Sequence, residues 1–487
     1  MARKRIYYLG IALAALAVGA CAITNQSLWI DEGSAAMKAM EPTLTAWWHN
    51  LRAEGNSNLQ LVTELFYLWV WAKIFGASEI ALRASNIPLF AGGMVALAWG
   101  WAARPRWQSA LVVIALANAF LWYYLSEARP YIFLFAFSSA TFAALCRSLS
   151  DDDARAAFRL LCLGAVGLCA TSLIAVPWAL AALLAFVYGQ GTRSSLRIIS
   201  RAPMAAAFLT LGLIAFGCYY LWTLHVGARA SAVGQTTWAT FAYSIYELAG
   251  LAGLGPGRLA LRAEGARAMA AYLPAVGAGI IASAICLIAG AIALRRVATR
   301  KHFVYFSIAV VLPLILVLAA GAFTHTRLLG RHLTPLLPFV LAPIAIGVAE
   351  LGSSKILAAR IAAICVVFVF IGSALSIRFA PRHQRDDYRD AVAFARAALA
   401  RHESVWWNAD IPTARYYGLP ANSPRLRISA AASDTQPDVV ILSKPDIYDS
   451  DGAVRKFLAD AKFTGTRTLP AFQIFQRPDS NTALAPR

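Results

Sequence analysis

Two adjacent carboxylates, Asp31 and Glu32, follow the first long apolar segment of this 487-residue sequence. A carboxylate is costly to place beside hydrocarbon, and one held at that boundary is suited to remove a proton from a hydroxyl or an amine. Acidic side chains also stabilise the first turn of a helix. Asp31 and Glu32 are therefore candidate catalytic residues, and a helix-capping role is the alternative.

Polar side chains in three other short segments form a second candidate set. The segments are Phe75–Arg83, Ser126–Tyr131 and Gly330–Pro335, and each stands next to an apolar run. Guanidinium groups are good ligands for a phosphate diester because they donate paired hydrogen bonds. For the third segment, the alternative is a belt of long polar side chains at the end of a membrane helix. The candidate ligand-contacting residues are Arg83, Glu127, Arg129, Tyr131, Arg331 and His332.

The composition predicts that these segments lie at the ends of membrane helices. Hydrophobic residues make up 59% of the chain and charged residues only 14%, whereas soluble domains carry about 25% charged residues. Apolar runs of roughly 17–25 residues, long enough to cross a bilayer, recur over the first three quarters of the sequence. The net charge of +19 is spread over alternate ends of these runs, which is typical of membrane topology and excludes a nucleic-acid partner.

The N-terminus and the cysteines fit the same class of protein. Arg3-Lys4-Arg5 precede an apolar run that ends near Ile23. A cleaved signal peptide would begin in the same way, but many later spans follow, so we interpret the run as an uncleaved first helix. The seven cysteines lie in or beside apolar segments and predict neither a disulfide framework nor paired metal ligands.

The distribution of basic clusters predicts the topology. About eleven helices, with the N-terminus inside and the C-terminus outside, place every basic cluster of the inner loops in the cytoplasm. This count requires that the apolar segment Leu59–Phe75 does not cross the membrane. Glu64 and Lys73 interrupt that segment, and its Tyr and Trp residues are typical of an interfacial helix. We therefore predict a first extracytoplasmic loop over residues 25–83 that contains an interfacial helix.

A small extracytoplasmic α/β domain, residues 381–487, is predicted to follow the membrane domain of residues 1–380. Strands are predicted at residues 404–407, 438–443 and 471–475. Helical segments are predicted at residues 386–400, 413–417 and 452–462. Alternation of helices and strands favours a partly parallel sheet.

The order of these motifs resembles that of the GT-C glycosyltransferases, which include protein O-mannosyltransferases and the lipid A aminoarabinose transferase (glycosyltransferase family 39-like enzymes). The Asp31-Glu32 pair is similar to their first-loop motif. The Phe-Gly-x-Ser-Glu-x-Ala-x-Arg run, Phe75–Arg83, and the segment Ser126–Tyr131 are similar to the bacterial mannosyltransferase-like branch. The resemblance covers roughly residues 25–135, with weaker similarity at Arg331–Pro335 and Asp387–Arg389.

This resemblance implies an inverting glycosyltransferase of the bacterial inner membrane whose site faces the periplasm. The donor would be a sugar on a polyprenyl-phosphate carrier, and the acceptor a lipid, a glycan or a protein. Asp31 would be the base, and Glu32 would orient it or pair with Arg83. Arg129 and Arg331 would hold the carrier phosphate. Some GT-C enzymes use a divalent metal, but His325 and His332 are seven residues apart with no accompanying carboxylate, so no cofactor is predicted.

Two other functions remain as alternatives. Many relatives carry a His-Pro-Pro run before the interfacial helix, whereas Asn56–Glu64 contains neither histidine nor proline. That departure is compatible with a catalytically altered scaffold of the same fold. A transporter or flippase for a lipid-linked sugar would also span the membrane many times, but it would more often contain internal repeats and helices broken at the midplane.

Overall fold

A computed structural model describes residues 2–149, 154–228, 235–428 and 436–478. Within these residues, ten helices are long and apolar enough to cross a membrane. Helices Pro105–Leu116 and Ala119–Leu125 pass the same test as one span that is bent by 52°. The prediction of about eleven membrane helices is therefore confirmed. The ten spans are Arg3–Ala22, Glu79–Gly100, Tyr131–Ser148, Ala154–Thr171, Leu173–Gln190, Pro203–His225, Arg258–Val297, Arg300–Phe323, Gly330–Gly352 and Leu357–Phe379.

Asn118 explains the bend in the eleventh span. Its side chain accepts a hydrogen bond from the Leu121 amide and so caps helix Ala119–Leu125. The same side chain donates to the carbonyl oxygen of Leu248. One asparagine thus begins a new helix direction inside the bundle and ties it to a neighbouring segment.

Small residues let two membrane helices touch along their backbones. A Cβ atom added to Gly290 would lie 1.9 Å from the carbonyl oxygen of Pro343, and one added to Gly347 would lie 1.9 Å from that of Cys286. Close backbone approach at small residues is a common way of packing helices inside a membrane. It fixes the position of helix Leu337–Gly352, which follows the candidate residue Arg331.

The loop after the first helix contains helices Ile30–Met40, Leu44–Glu54 and Val62–Phe75. The last of these has 14 residues, or about 21 Å at 1.5 Å per residue, which is less than the ~30 Å hydrocarbon core of a bilayer. It is not among the candidate spans of the described residues. Its length is compatible with the predicted interfacial helix, whose depth in the membrane stays a prediction. The two shorter helices were not predicted from the sequence.

The C-terminal sheet region, residues 381–428 and 436–478, contains the strands β1 Val405–Asn408, β2 Leu426–Arg427, β3 Val439–Ser443, β4 Thr464–Leu469 and β5 Phe472–Gln476. They form one sheet of order β2-β1-β3-β5-β4. β1 pairs in parallel with β2 and β3, and β5 pairs antiparallel with β3 and β4. The predicted partly parallel sheet is therefore present. The helices of this region include Tyr388–Ala400, Ile411–Tyr416, Pro445–Tyr448 and Ala453–Asp460.

This region docks against the end of the bundle that carries Asp31. The Tyr417 hydroxyl accepts a hydrogen bond of 2.7 Å from the Leu28 amide. A Cβ atom added to Gly33 would lie 2.1 Å from Oγ1 of Thr413, so the first-loop helix and the sheet region are in direct contact. The docking brings side chains from both ends of the sequence around the candidate catalytic pair.

Candidate active site

The carboxylate of Glu32 is fully buried and lies at the centre of a hydrogen-bonded network. Arg83 donates to both of its oxygens, at 2.9 and 2.8 Å. The Ala128 amide and the Arg385 guanidinium also donate to it, at 3.0 and 3.2 Å. Burial raises the pKa of Glu32, but the charge and hydrogen bonds of Arg83, joined by Arg385, outweigh it and hold the pKa below its usual range.

Arg83 is likewise fully buried, and protein acceptors take all of its N–H groups. Besides Glu32, these acceptors are the backbone carbonyl oxygens of Thr24, Gln26 and Ser27. The suggested pairing of Glu32 with Arg83 is therefore present. Neither side chain is open to a ligand in this arrangement. The geometry favours a positioning role for both, in place of the catalytic role predicted for Glu32 and the ligand-contacting role predicted for Arg83.

Asp31, by contrast, has a partly open side chain, 31% exposed. It lies in the first turn of helix Ile30–Met40, where the capping function falls to Glu32, which accepts a hydrogen bond from the Trp29 amide. The Asp31 carboxylate is therefore not used to cap the helix. Arg331 Nη1 lies 3.5 Å from its Oδ2, and Arg129 donates to its backbone carbonyl oxygen at 3.4 Å.

The guanidinium of Arg331 lies near two aromatic rings, with its Cζ 5.4 Å from the ring centre of Trp29 and 5.8 Å from that of Tyr131. Its Nε is buried and has no hydrogen-bond partner among the described residues. Gly330 permits this placement, because a Cβ atom there would lie 2.5 Å from Oε2 of Glu247. Arg331 is therefore held by packing while its donors stay available to an anion.

The side chain of His332 has a structural contact, and its predicted contact with a ligand stays a prediction. Its Nδ1 accepts a hydrogen bond of 3.2 Å from the Leu329 amide, which caps the 3₁₀ turn Gly330–Leu336. This cap orients the turn that presents Arg331.

The side chain of Glu127 is also fully buried. Neither of its carboxylate oxygens has a hydrogen-bond partner within the described chain, and Arg385 forms an ion pair with it at 3.7 Å. Burial raises the pKa of Glu127, and the opposing charge of Arg385 does not restore it. Glu127 thus differs from Glu32, to which Arg83 and Arg385 both donate hydrogen bonds.

A cavity of about 150 Å³ opens between the bundle and the C-terminal sheet region. Basic and aromatic side chains predominate in its wall, and guanidinium and ammonium groups donate charge-assisted hydrogen bonds to anions. Arg331 and Trp29 join the cavity to Asp31. Its polar and aromatic lining residues include Trp29, Tyr123, Tyr124, Tyr243, Glu247, Arg258, Arg262, Arg331, His383, Gln384, Arg385, Asp386 and Lys444.

The fold of the chain is similar to that of two solved structures over almost its whole length. These are the crystal structures of ArnT from Cupriavidus metallidurans, in the apo state with a TM-score of 0.51 and bound to undecaprenyl phosphate with a TM-score of 0.50. Both share 12% sequence identity with this chain, and each match covers 98% of both chains. The chain has the GT-C fold. No family model and no curated protein matches the sequence.

The sequence analysis missed four basic residues that line this cavity, Arg258, Arg262, Arg385 and Lys444. Arg258 donates to Glu247 and to the Tyr124 hydroxyl, both at 2.8 Å. Arg385 joins the Glu32 network, and Lys444 pairs with Asp386. The one available signal was the Arg385-Asp386 pair, which directly precedes the weak Asp387–Arg389 motif.

The first loop of this GT-C chain holds a second polar cluster beside Asp31. The buried Lys38 donates to Ser34 Oγ at 2.9 Å and pairs with Glu54. Asn58 donates to Glu54 at 3.0 Å and accepts from Arg129 at 3.2 Å. Asn58 lies in the segment Asn56–Glu64, which contains neither histidine nor proline, and its hydrogen bonds stabilise this part of the loop.

Glu64 is the least satisfied member of that segment. Its side chain is 2% exposed, and its Oε2 has no hydrogen-bond partner among the described residues. Burial raises the pKa of Glu64 to about 7, against the opposing charges of Arg129 and Lys38. A proton on Glu64 is therefore exchanged near neutral pH.

Within the described ranges, no group of three or more His, Cys, Asp or Glu side chains is placed to hold a metal ion.

Proposed function

We propose that this chain is an inverting glycosyltransferase that moves a sugar from a polyprenyl-phosphate carrier to an acceptor hydroxyl or amine. The observation that carries the proposal is the open contact between Arg331 and Asp31 at the cavity wall, with 3.5 Å between Nη1 and Oδ2. It places a cation for a phosphate beside a carboxylate that can accept a proton. Binding of undecaprenyl phosphate to ArnT from Cupriavidus metallidurans, which has the same fold, supports a lipid-phosphate carrier.

The roles of the residues follow from what each leaves available. Arg331 has unused donors and would bind the phosphate of the donor, which accepts several charge-assisted hydrogen bonds. Arg129, whose Nε also lacks a partner within the described chain, would hold the Asp31 backbone and could reach the same ligand. The Tyr131 ring would keep Arg331 in place through a cation–π contact. Glu32 and Arg83 would fix the backbone on which Asp31 stands.

The proposed reaction is a single displacement. The acceptor gives its proton to the Asp31 carboxylate as its oxygen or nitrogen forms a bond to the anomeric carbon. The bond from that carbon to the phosphate oxygen breaks, and its electron pair leaves with the polyprenyl phosphate. Arg331 stabilises the negative charge that develops on the leaving phosphate. Attack opposite the leaving group inverts the anomeric configuration.

The location of the site is part of the proposal. The basic clusters at the ends of the apolar runs favour a cytoplasmic N-terminus. This orientation would place the Asp31 end of the bundle, with residues 381–487 as a separate domain, in the periplasm. The acceptor would then be a lipid, glycan or protein of the cell envelope.

Transfer assays with the purified full-length protein in detergent test this function. Radiolabelled sugars on undecaprenyl phosphate would be supplied with an envelope lipid and glycan extract. We expect labelled product with the inverted anomeric configuration, formed about 10²–10⁴-fold more slowly by Asp31→Asn. A protein that moves the intact lipid-linked sugar across proteoliposomes without cleaving the sugar–phosphate bond would instead be a flippase.

A further inference from the structure

The indole ring of Trp29 lies near two cations from different parts of the chain. Arg331 Cζ, from the helix bundle, is 5.4 Å from the ring centre. Lys444 Nζ, from the C-terminal sheet region, is 5.7 Å from it. Trp29 itself stands two residues before Asp31. The cavity wall therefore contains one cation from each region beside the candidate base.

An unusual backbone conformation places Lys444 there. The residue follows the fully buried strand β3 and precedes helix Pro445–Tyr448. Its φ of 43° and ψ of 71° lie in the left-handed region, which is unfavourable for residues other than glycine. Strained positions of this kind are concentrated at functional sites, where the surrounding structure maintains them. The conformation of Lys444 therefore suits a residue with a function in the cavity.

The Lys444 ammonium has N–H groups that lack an acceptor within the described residues. It forms an ion pair with Asp386, the one hydrogen bond that its three N–H groups make within the described part of the chain. Its side chain is only 4% exposed. The Nε1 of Trp29 and the Nε of Arg331 are also buried without a partner among the described residues. Buried donors without acceptors are unfavourable, and a ligand with several anionic oxygens would satisfy all three.

The surroundings favour an anion as that ligand. Three basic side chains of the cavity wall, Arg258, Arg262 and Arg385, form ion pairs with Glu247, Asp446 and Glu32. Arg331 and Lys444 also have carboxylate neighbours, but each keeps N–H donors without an acceptor within the described part of the chain. A phosphate group can use these donors, because its oxygens accept charge-assisted hydrogen bonds from several donors at once.

We propose that Lys444 contacts the substrate and that it and Arg331 together hold the donor phosphate beside Trp29. The C-terminal sheet region would then complete the phosphate site, which the helix bundle alone leaves open on one side. This inference rests on the proposed transfer from a polyprenyl-phosphate carrier. It adds a function for the sheet region.

Hydrogen bonds between the sheet region and the first loop fix the position of the two regions relative to each other. Arg385 of the sheet region donates to Glu32 of the first loop at 3.2 Å. Tyr417 accepts from the Leu28 amide at 2.7 Å. Leu28 precedes Trp29 in the sequence and Glu32 follows it, so the two contacts hold the backbone on both sides of Trp29. The distance from Lys444 to Arg331 is therefore set by a docked interface and not by a free linker.

The test measures binding of undecaprenyl phosphate to the full-length protein in phosphatidylethanolamine nanodiscs. Lys444→Met keeps the length of the side chain and removes its charge. We expect binding to weaken by about 10-fold or more, the equivalent of one charge-assisted hydrogen bond. Lys456→Met is the matched control, because Lys456 lies exposed on helix Ala453–Asp460 of the same region. It should bind as the wild type does.

Asp386→Asn separates substrate contact from a purely structural role. If Lys444 binds the phosphate, removal of its neutralising carboxylate should leave undecaprenyl phosphate binding unchanged or tighter. If Lys444 serves only as the partner of Asp386, both variants should weaken binding together and lower the melting temperature together. The second result would overturn the proposal even if Lys444→Met folds poorly.

Two further results distinguish this proposal from the proposed function. Absence of undecaprenyl phosphate binding by the wild type would contradict the carrier itself. Wild-type binding that Lys444→Met leaves intact, at an unchanged melting temperature, would contradict only the role of Lys444. Phosphatidylglycerol added at the same mole fraction should not compete. Equal competition would mean a general phospholipid site and would also overturn the proposal.

Discussion

Arg331 Nη1 lies 3.5 Å from Oδ2 of Asp31, in an ion pair whose side chains are 19% and 31% exposed. The neighbouring pair of Arg83 and Glu32 is closed at 2.8 Å, and both of its side chains are fully buried. Two consecutive carboxylates thus have opposite environments. A ligand can compete for the open pair only. A donor phosphate that binds Arg331 would release Asp31 to accept the proton of the acceptor.

Arg331→Gln should therefore weaken the use of the donor more than that of the acceptor. Loss of a hydrogen bond to a charged group is worth about 1.5–3 kcal/mol, so the donor KM should rise by about 10–100-fold. Steady-state kinetics with each substrate varied in turn would measure this. Arg327→Gln, an exposed arginine of the same loop, is the control. A larger change in the acceptor KM would contradict the assignment of the phosphate to Arg331.

Arg83→Ala should destabilise the protein, since it leaves the buried Glu32 charge without its main partner. Removal of one partner of a buried ion pair typically costs about 3–5 kcal/mol. Lys should not replace Arg83, because one ammonium cannot supply donors to Glu32 and to three backbone carbonyl oxygens. Thermal unfolding in detergent would measure both variants. Wild-type stability of Arg83→Lys would show that the network is weaker than its geometry indicates.

Much of this site could be predicted because its residues follow helix ends. Asp31, Arg129 and Arg331 each stand next to an apolar run, and charge bias assigns those ends to one side of the membrane. Arg385 and Lys444 could not be found in that way. They belong to a sheet region whose docking depends on contacts such as Thr413 against Gly33, and periodicity carries no information about how one region packs on another.

The sequence could not show that protein acceptors take all the N–H donors of Arg83, for a related reason. Sequence shows which side chains could donate to a phosphate, but the carbonyl oxygens that take the Arg83 donors come from the irregular segment Thr24–Ser27. The fold class was simpler to predict, because long apolar runs leave few alternatives to a helix bundle. The two-residue strand β2 was missed because so short a segment has no alternation to detect.

Glu64 should lower the free energy of unfolding as the pH rises from about 4.3 to about 7. Its pKa is about 7 in the folded state and about 4.3 in an unfolded chain, so over this window the folded state retains a proton that the unfolded state has released. The cost grows with pH to roughly 4 kcal/mol and is constant above pH 7. Glu64→Gln should remove this slope in melting temperatures measured from pH 5 to 8. The exposed Glu264→Gln should not; equal slopes in all three proteins would contradict the buried, protonated Glu64.

Gly33→Ala should displace the C-terminal sheet region from the first loop. The added Cβ would lie 2.1 Å from Thr413 Oγ1 and 2.6 Å from Thr413 Cα, and a backbone atom cannot move aside as a side chain can. We expect faster proteolysis between the two regions and weaker binding of undecaprenyl phosphate. Gly10→Ala, where nothing lies within 4 Å, is the control. Unchanged proteolysis in Gly33→Ala would mean that the interface is looser than these contacts require.

The strongest test of the chemistry compares Asp31→Asn with Glu32→Gln. Asparagine keeps the shape of Asp31 and removes the base, so turnover should fall by about 10²–10⁴-fold while binding of undecaprenyl phosphate and the melting temperature are retained. Glu32→Gln should lower the melting temperature instead, because Arg83 and Arg385 would lose a buried counter-charge. Turnover, binding and melting temperature would be measured on the same preparations. A stable Glu32→Gln protein without turnover, beside an active Asp31→Asn, would move the base to Glu32, and full activity in both would remove this pair from the chemistry.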